Sequence, residues 1–342
     1  MTEWPIIGHQ AAVDLLQRSI ATSQIGHAYI FFGPEGIGRR TLAQTFARAL
    51  ICQSPLDERP CGVCSACRRA ARGIHPDVTT ISLEQQAAAD SRESKNTRIS
   101  IDTIRELRSN LSLRPLESDW RVAILEDVDF FSLPAYDALL KTLEEPPPFV
   151  VLLLIATEID AVPETIRSRC RHVTLEPLSR AEVTEALLAR GVDATKAAML
   201  AGITRGRIGQ ALALAEDQAA LSARRESVEA GLEMIENPVA ALGTVRRMTE
   251  SYRRGQRARV EGDLDTVIGL WRDLLLIAAG CSEHIVNVDI VERLNRLAKQ
   301  WSLSQISEGL SAAHQVLIDL SINVQPRIAL DRMVTQWPRV TR

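Results

Sequence analysis

The stretch Gly33-Pro34-Glu35-Gly36-Ile37-Gly38-Arg39-Arg40-Thr41 constrains the fold more than any other part of this chain. It follows a short apolar run, Ala28-Tyr29-Ile30-Phe31-Phe32, and precedes apolar residues at helical spacing, Leu42, Phe46, Ala49 and Leu50. Strand, glycine-rich turn, then helix is the context a phosphate-binding loop requires. In such a loop, G-x-x-x-x-G-K-[ST], backbone N–H groups cradle phosphates, the Lys reaches the β- and γ-phosphates, and the hydroxyl holds Mg²⁺. Here Gly33, Gly36 and Gly38 remain, but Arg39 stands at the Lys position and Arg40 at the hydroxyl position, with Thr41 one place late. A guanidinium offers only donors and cannot ligate a cation. The loop keeps its backbone skeleton and lacks both chemical residues.

The pattern around it is that of an α/β domain. Val78 to Leu83 reads as a second strand, and the polar stretch 84–98 as a mobile loop. Ser100 suits the N-cap of a helix with Ile101, Ile104, Leu107 and Leu111 on one face. Val122 to Leu125 is a third strand, ending in Glu126-Asp127-Val128-Asp129. Pro134 fits a helix start, and Pro146-Pro147-Pro148 stop that helix. The continuous apolar run Val150 to Ile155 suits the centre of a parallel sheet covered on both faces, with Val173 to Leu175 as a short fifth strand. Beyond Pro177 only helical periodicity is found, with Gly202, Gly206 and Gly209 marking turns. The expected organisation is an α/β domain over 1–178, a small helical unit over 179–216 and a separate all-helical domain over 217–342.

Four of six cysteines, Cys52, Cys61, Cys64 and Cys67, are spaced C-x8-C-x2-C-x2-C directly after the loop's helix. Clustered thiols in an intracellular chain read first as a metal site, and four thiolates suit a closed, tetrahedral structural Zn²⁺. Reduced thiols or a disulfide pair are the plainer alternatives. Charge excludes little but is useful: 40 basic against 43 acidic residues give a net charge of −3, so no global field attracts nucleic acid. No apolar run reaches a membrane span, and Met1-Thr2-Glu3-Trp4-Pro5 does not read as a signal peptide, so a cytoplasmic location and no membrane partner are expected. The basic stretch Arg246, Arg247, Arg253, Arg254, Arg257, Arg259 is either a solvated helix face, a subunit contact or a DNA-phosphate contact.

At this point the motifs resemble a known family, the AAA+ clamp-loader subunits of bacterial DNA polymerase III, and within it the delta-prime branch. The resemblance rests on the cysteine module after the glycine-loop helix, on Ala138-Leu139-Leu140-Lys141-Thr142-Leu143-Glu144-Glu145-Pro146-Pro147, on Ser168-Arg169-Cys170, and on the N-terminal box Pro5-Ile6-Ile7-Gly8-His9-Gln10. It implies a RecA-like parallel sheet with a zinc module, a helical lid and an all-α collar. It also implies that Arg169 acts as an arginine finger at the ATP site of a neighbouring motor subunit. Implied partners are the loader's motor subunits, a delta-type subunit, the sliding clamp, and primer-template DNA through the complex.

The departures from that family matter equally. Its motor subunits carry Asp-Glu after the third strand, where this chain has Glu126-Asp127; their sensor-2 Arg falls here at Gly209, while Thr157 is retained at the sensor position after the central strand. With Arg39 and Arg40, these alterations imply a lapsed ATPase, and ATP binding by this chain is itself in question. The retained glycines serve either as a structural turn or as a weak phosphate cradle without turnover. The competing readings are an active ATPase motor of the same loader, which the loss of an oxygen ligand at Arg40 opposes, and a zinc-dependent DNA-binding protein, which the mild negative charge opposes.

Overall fold

The computed structural model describes residues 4–89, 98–254, 257–321 and 324–338. Among them are five strands, β1 (Ala28–Phe32), β2 (Val78–Ile81), β3 (Arg121–Leu125), β4 (Val150–Ala156) and β5 (Arg171–Thr174), all parallel in the order β2-β3-β4-β1-β5. Central β4 is buried along its whole length, as the unbroken Val150–Ala156 apolar run requires. Side chains alternate between two apolar layers, because a strand has a period of two. Tyr29, Phe31, Val151 and Leu153 face one layer with Leu42 and Phe46. Ala28, Ile30, Leu152 and Leu154 face the other with Leu107, Leu139 and Leu143.

The helices of this part are α1 (Gln10–Ala21), α2 (Arg39–Ile51), α3 (Ser65–Ala71), α4 (Leu83–Ala89), α5 (Ile101–Leu111), α6 (Leu133–Glu144), α7 (Glu164–Arg167) and the start of α8 (Arg180–Leu188). Local chemistry sets their starts. Ser100 Oγ accepts from the Thr103 amide at 3.3 Å to begin α5, and Ser132 Oγ accepts from the Ala135 amide at 3.3 Å to begin α6, with Pro134 in the first turn. The polar stretch after β2 departs from the expectation: the strand stops at Ile81, short of Leu83, and the first six residues of the expected loop, 84–89, belong to α4, which begins at Leu83. The Gln85 amide donates to Ser82 Oγ at 3.1 Å, capping a run of good helix formers. Residues 90–97 of that expected loop lie outside the described residues.

One buried carboxylate organises the sheet edge. Asp77 is fully buried and accepts from the amides of Leu116 (2.7 Å), Glu117 (2.9 Å) and Ser118 (3.0 Å) and from Ser118 Oγ (3.1 Å). Burial alone would raise its pKa, but these hydrogen bonds outweigh burial and hold it below the usual carboxylate value. The loop so held presents Glu117 to Arg69 of α3, tying the cysteine module to the sheet.

The chain divides into two compact units, one comprising residues through Val183 with Gly206–Gln210, the other Thr184–Arg205 with residues from Ala211 onward. The second holds α9 (Ala194–Thr204) and most of α10 (Ile208–Glu216), then α11 (Gln218–Glu236), α12 (Pro238–Arg253), α13 (Arg257–Ala278), α14 (Val291–Ala298), α15 (Leu303–Ser321) and α16 (Pro326–Gln336). No strand occurs there among the described residues. Its core is built on Trp271, whose ring lies 5.5 Å from those of Trp301 and Trp337. Gly309 makes room for it, since a Cβ there would sit 2.8 Å from the indole. Gly202 lies inside α9 and Gly209 inside α10; of the three glycines read as turns, Gly206 alone makes one, at φ +83°. No helix among the described residues is long and apolar enough to cross a membrane.

Candidate functional site

The C-terminal ends of β1, β3 and β4 open onto a cleft of about 470 Å³ lined by the glycine loop, Glu126, Asp127, Asp129, Thr157 and Gly209. Gly33, Gly36 and Gly38 all have positive φ (148°, 75° and 110°), so the loop winds as a phosphate cradle does, and the α2 N-terminus opens onto the cleft. A Cβ at Gly33 would strike the Leu175 carbonyl, so this glycine is also needed to pass the end of β5.

Both arginines are engaged within the chain. Arg40 Nε donates to Glu126 Oε1 at 2.5 Å while its Nη2 bonds Oε2, a two-pronged guanidinium–carboxylate pair. Glu126 is 6% exposed, and the hydrogen bond to it raises the Arg40 pKa. Arg39 Nη1 donates to Thr157 Oγ1 at 3.1 Å. Asp127 is left-handed (φ 54°), and its Oδ2 accepts from the Leu83 amide at 3.2 Å. Glu126-Asp127 is therefore already used by the protein itself. A divalent cation needs oxygen ligands, and the loop position that should supply a hydroxyl supplies a donor-only guanidinium seated on the nearest buried carboxylate. The residues present do not fit Mg²⁺.

Gly209, read from the resemblance as the sensor-2 position, is itself part of a contact with the glycine loop. The Gly209 and Gln210 amides donate to the Gly36 carbonyl at 2.7 and 3.2 Å, so the first turn of α10 is capped by the glycine loop itself. A Cβ at Gly209 would lie 2.9 Å from that oxygen, and one at Gly36 would lie 3.1 Å from Gln210 Cβ. In the N-terminal box, His9 Nε2 donates to the Ile37 carbonyl at 3.1 Å, and burial lowers its pKa. Sequence reasoning missed Asp129, whose Oδ2 accepts from the Thr157 amide at 2.6 Å, as well as Glu84 and Glu35 in the cleft wall. The acidic run Glu126–Asp129 was visible, but which member turns inward depends on the turn after β3.

The four predicted cysteines come together, with all four Sγ atoms within 4.8 Å of one another. Tetrahedral thiolate ligation at about 2.3 Å per Zn–S bond places sulfurs roughly 3.8 Å apart, and Cys52 Sγ and Cys64 Sγ are 4.0 Å apart. The donor set therefore fits a closed tetrahedral metal ion. Cys170 is instead a half-buried filler whose thiol is pushed up to about 12 by burial.

Arg169 lies outside the cleft. Its Nη1 donates to the Thr165 carbonyl and its Nη2 to Glu144 Oε1, both at 2.9 Å, and the two paired side chains are 37% and 50% exposed. Arg246, Arg247 and Arg253 on α12, Arg254 just beyond its end and Arg259 on α13 are exposed.

A family model described as DNA polymerase III, delta subunit matches residues 8–179, half of the chain. Among curated proteins, DNA polymerase III subunit gamma of Buchnera aphidicola subsp. Schizaphis graminum is 33% identical over 52% of this chain and 46% of its own length. Subunit tau of Bacillus subtilis is 35% identical over 49% of this chain and 28% of its own. Subunit tau of Escherichia coli is 28% identical over 83% of this chain and 44% of its own. The chain thus spans less than half the length of these relatives. A solved gamma subunit-related protein of Thermotoga maritima aligns over 95% of this chain and 97% of its own, at 19% identity and a TM-score of 0.45. The family match runs through the sheet, the glycine loop and the cysteine module together, and it places the protein: the chain belongs to the AAA+ clamp-loader subunits of DNA polymerase III.

Proposed function

We propose that this chain is the delta-prime-type subunit of the loader, a member that does not hydrolyse ATP and that completes the ATP site of a neighbour. The observation that carries this reading is the Arg40–Glu126 pair, which puts a protein cation where a working site needs an oxygen-ligated metal. Relatives named gamma and tau favour the alternative, an active motor. That alternative needs the metal position which Arg40 fills.

Arg169 is the residue that acts, in trans. A guanidinium is planar, always charged and forks onto phosphate oxygens, so it suits charge developing on a transferred phosphoryl group. Its bond to Glu144 is a half-exposed surface pair, worth about 0–1 kcal/mol, and is readily exchanged for a phosphate partner. Cys52, Cys61, Cys64 and Cys67 hold Zn²⁺ in a closed structural role, with no open position for chemistry. Residues 179–216 serve as a lid and 217–342 as the collar that joins neighbouring subunits. Partners are the motor subunits, a delta-type subunit, the sliding clamp and primer-template DNA reached through the complex, in the cytoplasm. The first test is steady-state phosphate release by the isolated chain at saturating Mg-ATP. No turnover above background is expected; turnover comparable to a motor subunit, abolished by Arg39→Ala, overturns the reading.

A further inference from the structure

The cleft departs from a nucleotide site in a way that goes beyond missing residues. In a working P-loop, a metal ion bridges the loop's helix and the acidic strand end, so their arrangement depends on what is bound. Here Arg40, the second residue of α2, makes that bridge through both oxygens of Glu126 at the end of β3. Glu126 is almost fully buried, so without a cation on it the carboxylate would be stranded away from water.

Two further tethers hold the loop from other sides. The Gly36 carbonyl takes the amides of Gly209 and Gln210, and the Ile37 carbonyl takes His9. Arg39 is turned onto Thr157. Glu35, Glu84, Glu126, Asp127 and Asp129 line the cleft against only two guanidiniums, so a polyphosphate arriving without metal meets excess negative charge. A metal-bound nucleotide meets a cation already in the metal's place.

From this geometry we infer that the Arg40 guanidinium is a built-in replacement for the divalent cation, locking the glycine loop to the β3 end in one arrangement that neither metal nor nucleotide changes. The inference rests on reading the chain as non-hydrolysing. Its test uses the isolated full-length chain, so failure of the Arg169 reading in an assembled loader leaves it standing.

The probe is Mn²⁺, followed by electron paramagnetic resonance and by thermal unfolding with and without ATP. The wild-type chain is expected to take up no Mn²⁺ in the cleft and to show the same Tm with Mn²⁺, with Mn-ATP or with neither. Arg40→Thr empties the bridge and leaves five carboxylates facing Arg39 alone. It should lose several degrees of Tm, bind about one Mn²⁺ per chain and regain Tm as Mn²⁺ is added. Adding Glu126→Gln to that variant should abolish the uptake. Arg40→Lys keeps the charge without the fork, so it should unfold at a lower temperature than wild type and still exclude Mn²⁺; it stands in if Arg40→Thr does not fold. Mn²⁺ or Mn-ATP binding to wild type as tight as to Arg40→Thr overturns the inference. So does an Arg40→Thr or Arg40→Lys variant that keeps the wild-type Tm.

Discussion

Arg169→Ala separates a structural arginine from one that acts on another chain. Within the subunit, the substitution removes a hydrogen bond to the Thr165 carbonyl and a 2.9 Å pair with Glu144 whose members are 37% and 50% exposed. Exposed pairs of this kind contribute about 0.2–1 kcal/mol, which for a unit of this size lowers Tm by no more than roughly 4 °C. At the neighbour's ATP site, an arginine supplied in trans contributes about 10³–10⁵ in rate, or roughly 4–7 kcal/mol of barrier. The predicted signature is therefore lopsided: near-normal stability and assembly, with one ATP site almost silent. On the proposed reading, whole-loader turnover should fall only in part if other interfaces carry their own arginines, and clamp loading should fall further if the sites fire in concert. Arg169→Lys rescues poorly, since an ammonium cannot fork onto two oxygens. Glu144→Gln is the control: it removes the charge of the same internal pair but leaves Arg169 in place, so turnover should hold or rise. The assay is DNA-stimulated ATPase and clamp loading on size-purified complexes. Wild-type turnover in an intact Arg169→Ala complex, or an equal loss in Glu144→Gln, refutes the reasoning.

Protein purified without added zinc should carry about one equivalent of the metal; Cys64→Ser should lose it and lower the stability of the α2–α3 region. Full occupancy in Cys61→Ser/Cys64→Ser would show that other ligands hold it. Asp77→Asn leaves one good acceptor where four donors converge, costing about 2–4 kcal/mol and roughly 5–10 °C in Tm. Because the folded pKa of Asp77 lies below the unfolded value, its stabilisation is complete above about pH 4 and is lost as pH falls through the lower folded value. Acid titrations of Tm should show this loss in wild type and not in Asp77→Asn; coincident acid limbs would contradict it. Gly209→Arg, which supplies the side chain the resemblance expects there, should lower Tm without creating nucleotide affinity, because its Cβ meets the Gly36 carbonyl. Measurable ATP binding by that variant alone would count against a closed cleft.

The sheet was legible because its signals are local. The Val150–Ala156 apolar run and the glycine loop after β1 each determine their own structure from a few adjacent residues. The four cysteines were equally plain, since short thiol spacing has few other uses. What escaped depends on long-range pairing. Arg40 was read as a lost hydroxyl, whereas its gained partner, Glu126, is 86 residues away. Gly209 was read as a missing arginine, and the loop carbonyl pressing on it is invisible in one dimension. Asp77 was read only as leading into β2, because the four donors that make it an anchor lie some 40 residues downstream. The α4 helix was missed because a polar composition without apolar periodicity hides a short helix made by its cap and by Gln86, which bonds the Arg98 carbonyl and the Ser100 amide beyond it.

Helix α2 is a rod of thirteen residues, about 20 Å long, and it is clamped at both ends. Arg40 grips Glu126 at one end, and at the other Cys52 follows Ile51 directly into the sulfur cluster, where Cys67 Sγ also lies 4.0 Å from the Arg48 carbonyl. A hydrogen-bonded helix neither stretches nor compresses appreciably, so movement at one end is delivered to the other. Loss of the sulfur cluster, as in Cys64→Ser, should therefore loosen α2 at its far end while the Arg40–Glu126 grip still holds the loop end. Neither terminus of such a rod is free to fray, and amide hydrogen exchange along α2 should be slow from end to end.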